Sequence, residues 1–183
     1  MTVRAGVELD LWRTIATSAS EESRLWVESL LPVDRRVHEP VFSELCSPAH
    51  ALGVETIYEG YLVHYGRSRL FGPADDDAAL LLGDYLYAHG LVRIAALGDV
   101  AAVGDLAELI SLCMQVRADG RDGDGAAWAA TSCLLGSDAG TLGEARDALR
   151  LDDDPEPLAR AAREVAGEDA YLVALGAHAR LVG

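Results

Sequence analysis

The 183-residue chain is half apolar but only 6% aromatic, long enough for one well-buried core and short for two, so one all-α helical bundle spanning residues 1–183 is expected. Its formal net charge is -15 and all 15 basic residues are Arg, which argues against nucleic acid as a partner and removes every chemistry that needs a Lys amine. Three scattered cysteines, Cys46, Cys113 and Cys133, form neither a disulfide framework nor a CxxC pair, so a reduced, cytoplasmic setting is expected.

In chain order, apolar residues three and four apart predict a helix over residues 8–17. The N-terminus lacks the basic start and unbroken apolar core of a signal peptide. Ser18 with Glu21 reads as a capping box opening a second helix to about residue 31, closed by Pro32. A third is predicted over 34–46, interrupted near Pro40, and Ser47-Pro48 reads as the cap and first position of a fourth, ending near Gly66. Further helices are predicted over 74–97, 100–118, 125–135, 142–149, 155–166 and 168–181. Window 78–97 is the most apolar, but Asp84, His89 and Arg93 make it a core helix, not a membrane span.

Asp75, Asp76 and Asp77 follow Pro73 and suit a helix start, where carboxylates meet free amides and the positive dipole end. Asp84 lies among Leu81, Leu82, Tyr85 and Leu86 and is read as a buried carboxylate needing an Arg or helix-terminus partner. Asp77 and Asp84 share a face but lie about 10 Å apart along the axis, too far to share one metal ion, so they are weak metal candidates. The run "ADGRDGDG" at 118–125 reads as a solvated turn, because Asp122 and Asp124 lack the Gly and the bidentate Glu of a calcium loop. Ahead of Pro155, Asp152 to Asp154 read as a helix start. His64 and His89 read as hydrogen-bonded core histidines, or alternatively as the lining of a former substrate cavity. Trp12, Trp26 and Trp128 read as core or interface anchors. No Gly-x-Ser-x-Gly elbow or Cys-His signature occurs, the Ser and Cys residues falling at ordinary helix and turn positions.

"LLLGDYLYAHGLVRIAALGD" resembles the GDYL-bearing helix of the trans-isoprenyl diphosphate synthases, all-α enzymes of the isoprenoid synthase fold. Upstream, "GVETIYEGYLVHYG" is similar to the family helix that begins with a Glu, here Glu55, and ends in a Leu-Val-His triplet, here Leu62, Val63 and His64. Downstream, "VGDLAELISLCMQVRADG" and "GAAWAATSCLLGS" resemble the next two helices, so the resemblance covers about residues 48–137. The departures bear on chemistry. Where the family carries its DDxxD motif, this chain has Tyr65, Gly66, Arg67, Ser68 and Arg69, and the second aspartate-rich motif and the Lys positions are missing.

The resemblance therefore implies a shortened, non-catalytic relative with no catalytic residues and no cofactor. It would be an accessory or regulatory subunit of a polyprenyl diphosphate synthase, assembling with itself or with a synthase-like catalytic subunit. The alternative is a small enzyme or binding protein in which His64, Tyr65, Arg67, Arg69 and Asp84 hold a prenyl diphosphate or similar anionic lipid, with magnesium entering only there.

Overall fold

The computed structural model describes residues 2–137 and 139–182, with side chains at residues 11–137 and 140–182. Nine α-helices form among them: α1 (Thr2–Glu22), α2 (Arg24–Ser29), α3 (Ala51–Tyr65), α4 (Asp76–Ala95), α5 (Val100–Ala118), α6 (Asp124–Leu134), α7 (Ala139–Asp152), α8 (Glu156–Ala166) and α9 (Glu168–Val182). The all-α expectation holds, and α3 to α9 fall close to their predicted ranges.

The first third of the chain differs from its prediction. α1 runs through Ser18, whose hydroxyl accepts from Arg93 Nη2 at 2.9 Å, and the true cap is Ser23, whose side chain accepts from Leu25 N. The predicted helix over 34–46 does not form. Only 3-10 turns at Val33–Arg35 and Ser43–Leu45 are helical there, with Arg36 extended just after the first. Pro32 and Pro40 bracket that stretch and break a helix ladder. Backbone groups of residues 29–37 pair instead with the segment after α3: Leu31 N donates to Leu70 O at 2.9 Å, Val37 N to Arg69 O at 3.0 Å and Gly72 N to Ser29 O at 2.7 Å.

Glycine spacing explains the tightest contact. Gly53 and Gly60 on α3, and Gly83 and Gly90 on α4, are each seven residues apart, so each pair lies on one face of its helix. The helices run antiparallel with Gly53 opposite Gly90 and Gly60 opposite Gly83. A Cβ at Gly60 would sit 2.9 Å from Gly83 O, and one at Gly90 would sit 3.0 Å from Gly53 O. Backbone meets backbone at both levels, leaving no slot for a ligand between them. Gly83 thus has a packing role in this chain.

Asp75 caps α4, its side chain accepting from Ala78 N at 2.8 Å, as the helix-start reading predicted. Asp152 instead ends α7. Asp153 takes a left-handed φ of 58°, which turns the chain, and Asp154 Oδ1 accepts from Glu156 N to open α8. The three Trp side chains are buried, with Trp128 in the main core beside Phe42, Tyr58 and Tyr61, and Trp12 and Trp26 in a second cluster with Leu70, Phe71, Leu82 and Leu86. No described helix is long and apolar enough to cross a membrane.

Candidate functional site

The segment from Tyr65 to Arg69 begins at the last residue of α3. Helical spacing puts Glu55 and Glu59 on the same side of α3, both wholly buried. Between them lies the guanidinium of Arg69, with Nη1 2.8 Å from Glu55 Oε2 and Nε 2.9 Å from Glu59 Oε2. Glu55 Oε1 also accepts from Val41 N and from the Ser43 hydroxyl, and Glu59 Oε1 accepts from Arg69 N and Leu70 N, both at 2.8 Å. Trp12 lies against the guanidinium, 4.4 Å from ring centroid to Cζ. Burial opposes the Arg69 charge, yet the two carboxylates outweigh it and hold its pKa above the ordinary value. Two acids and one cation thus staple the extended loops to α3, and Arg69 has no face turned to solvent.

Of the other predicted site residues, His64 lies beside both Tyr65 and Asp84, and Arg67 stands apart from them. Arg67 is exposed, while its backbone N donates to Leu181 O, anchoring the α3 end to α9. Tyr65 is half-buried, its ring 5.2 Å from that of Tyr61 and 5.6 Å from that of His64. Asp84 is not the buried carboxylate expected: its side chain is 64% exposed and its partner is His64 Nε2 at 3.3 Å, not an Arg. The apolar sequence around Asp84 misled, because Leu80 and Leu81 share its outer face of α4. Burial lowers the His64 pKa despite the neighbouring Asp84. His89 is half-buried, with its ring 5.3 Å from that of Tyr85. Asp77 is exposed in the first turn of α4, and no cluster of three metal-ligating side chains occurs among the described residues.

A groove of about 550 Å³ runs beside the α3 end, lined by Arg35, Arg67 and Ser68 and by the apolar Leu31, Val63 and Leu181. It joins a basic rim to an apolar wall.

A second polar centre has a signal that sequence reading missed. Asp124 does not stand in a solvated turn but opens α6 and is buried. Its Oδ2 accepts from the Tyr61 hydroxyl, from Arg117 Nη2 at 2.7 Å and from His178 Nε2 at 3.3 Å. Tyr58 OH lies 2.9 Å from His178 Nδ1, and Arg117 Nε donates to the Tyr61 oxygen at 2.8 Å. With the His178 proton on Nε2, every donor in this chain of groups finds an acceptor. Burial alone would raise the Asp124 pKa, but hydrogen bonds from His178 and Tyr61, with the Arg117 charge, hold it well below the carboxylate range. Burial pushes both phenols above their ordinary values, so they remain donors. The network cross-links α3, α5, α6 and α9. The only hint in the sequence is Asp124 standing next to the apolar run "GAAWAA", one residue inside a helix rather than in the loop.

Thiol chemistry has little footing here. Burial pushes Cys46 up to about 12 and Cys133 up to about 11, far from a thiolate at neutral pH. Compared with family models, curated proteins and solved structures, the chain matches none.

Proposed function

We propose that this chain is a non-catalytic accessory subunit that works by packing against a partner, the resemblance naming a polyprenyl diphosphate synthase as that partner. The observation that carries the reading is the fate of the segment from Tyr65 to Arg69. It offers no carboxylate to a metal, and its one buried cation is consumed by Glu55 and Glu59. Divalent ions that clamp a diphosphate need several free anionic oxygens, and Asp77 and Asp84 on α4 are too far apart to share one ion. The outer side of α4 supports the docking half of the reading, because Leu80, Leu81 and Val92 are all more than half exposed.

A second reading rests on the groove lined by Arg35 and Arg67. It would hold a prenyl diphosphate directly, the guanidinium groups meeting the phosphates and Leu31, Val63 and Leu181 meeting the chain. Calorimetric titration with farnesyl diphosphate, with and without magnesium, separates the two. The accessory reading expects no binding heat in either buffer, together with a stable complex on co-expression with a polyprenyl diphosphate synthase that Leu81→Glu breaks. Micromolar binding that Arg67→Ala abolishes overturns it in favour of the groove.

A further inference from the structure

Ser47, His50 and Asp99 come together although 52 positions separate the first from the last. Ser47 Oγ lies 3.1 Å from His50 Nδ1, and His50 Nε2 lies 3.1 Å from Asp99 Oδ2. Three elements hold the arrangement. Ser47 and His50 share one turn, closed by His50 N donating to Ser47 O at 3.0 Å, and His50 is the residue from which α3 starts. Asp99 caps α5, its Oδ1 accepting from Ala102 N at 2.9 Å, so its second oxygen is left for the imidazole. Gly136, at a positive φ of 73°, closes over it so tightly that a Cβ there would lie 2.6 Å from Asp99 Oδ2. Ser47 is exposed, whereas the His50 side chain is only 12% exposed. An accessible hydroxyl, a sheltered imidazole and a fixed carboxylate are thus in hydrogen-bonded series, the arrangement that activates a serine and that is recognised by geometry, not by sequence order.

We propose that Ser47, His50 and Asp99 form an acyl-transfer site that hydrolyses small uncharged esters. This goes beyond the accessory reading and uses none of its residues. With the His50 proton on Nε2 and donated to Asp99, Nδ1 is free to take the hydroxyl proton as Ser47 Oγ adds to the ester carbonyl carbon. The tetrahedral adduct collapses by breaking its bond to the alkoxide, which leaves with that proton from Nδ1. Water then adds to the Ser47 ester, its proton passing through Nδ1 to Oγ as the carboxylic acid departs. The first-turn amides of α3 carry no side-chain cap and are the donors assigned to the oxyanion. Leu97 and Val100 flank Asp99 and are exposed, giving an apolar acyl group a surface to rest on, while a net charge of -15 disfavours anionic substrates.

The test treats the full chain with a fluorophosphonate probe, locates the adduct by mass spectrometry, and follows hydrolysis of p-nitrophenyl acetate. The expected result is an adduct on Ser47, no adduct in Ser47→Ala, and a rate lowered by about 10²–10⁴ in His50→Gln, the usual contribution of a general base. Asp99→Asn keeps the α5 cap while removing the charge. As a positioning residue, Asp99 predicts a kcat lowered in Asp99→Asn with KM little changed, a split that a merely structural role would not give. Circular dichroism confirms folding of each variant. A folded wild-type chain with no Ser47 adduct, or one labelled equally fast in His50→Gln, overturns the proposal and leaves these bonds as a brace between α3 and α5. Neither outcome bears on farnesyl diphosphate or on a partner subunit.

Discussion

Substituting Gly60→Ala tests the backbone contact between α3 and α4. The new methyl carbon would stand 2.9 Å from Gly83 O, 3.0 Å from Leu86 Cβ and 3.1 Å from Tyr87 Cδ1. Two of these neighbours are buried side chains and the closest is main chain, so relief requires α3 and α4 to move apart. Against that stands the intrinsic gain of Ala over Gly inside a helix, about 1 kcal/mol. Overpacking costs about 1–3 kcal/mol, and a backbone obstacle puts this site at the upper end. The net is a loss of about 1–2 kcal/mol, or a fall of about 2–8 °C in Tm for a chain of this size. Gly104→Ala is the control: Gly104 lies inside α5 with nothing within 4 Å of the added carbon, so the helix gain stands alone and Tm should rise by about 2–4 °C. Urea and thermal melts of both variants decide the matter. A Gly60→Ala protein as stable as Gly104→Ala would refute the close-approach account.

Two further perturbations address the buried charges. Arg69→Met leaves Glu55 and Glu59 without their cation and should cost about 3–5 kcal/mol in urea unfolding, as for a buried pair broken by removing one partner. Asp124 has a folded pKa held below its unfolded one, so its stabilisation is full above about pH 4 and is lost as pH falls through that range. The charged and polar groups facing it are Tyr61 from α3, Arg117 from α5 and His178 from α9. The stability difference between wild type and Asp124→Asn, followed by thermal melts from pH 7 to pH 3, should therefore shrink on acidification.

Helix content was legible because Ala, Leu and Gly dominate and apolar residues recur at three and four positions, as α4 to α9 show. The misreadings share a physical cause in long-range pairing. Nothing local to residues 29–37 tells that their backbone groups would find partners at 69–72, and nothing near Ser18 tells that Arg93 would claim its hydroxyl. Asp84 was placed inside by the apolar residues around it, yet a helix has more than one face and Leu81 shares the outer one. Local signals did identify the start of α4 at Asp75, because a cap acts within three residues. Ser47 reads in the sequence as a helix cap and nothing there singles out His50, while Asp99 reaches them only through the tertiary fold.

The Arg69 staple also governs how the protein opens. Its carboxylate partners hold backbone amides from two separate stretches, Val41 and Ser43 before α3 and Arg69 and Leu70 after it. None of these can be released without stranding a charge in an apolar interior, so neither loop can peel away alone at modest cost. The two stretches therefore behave as one cooperative foldon, locked or lost together, and partial unfolding of this protein must begin elsewhere.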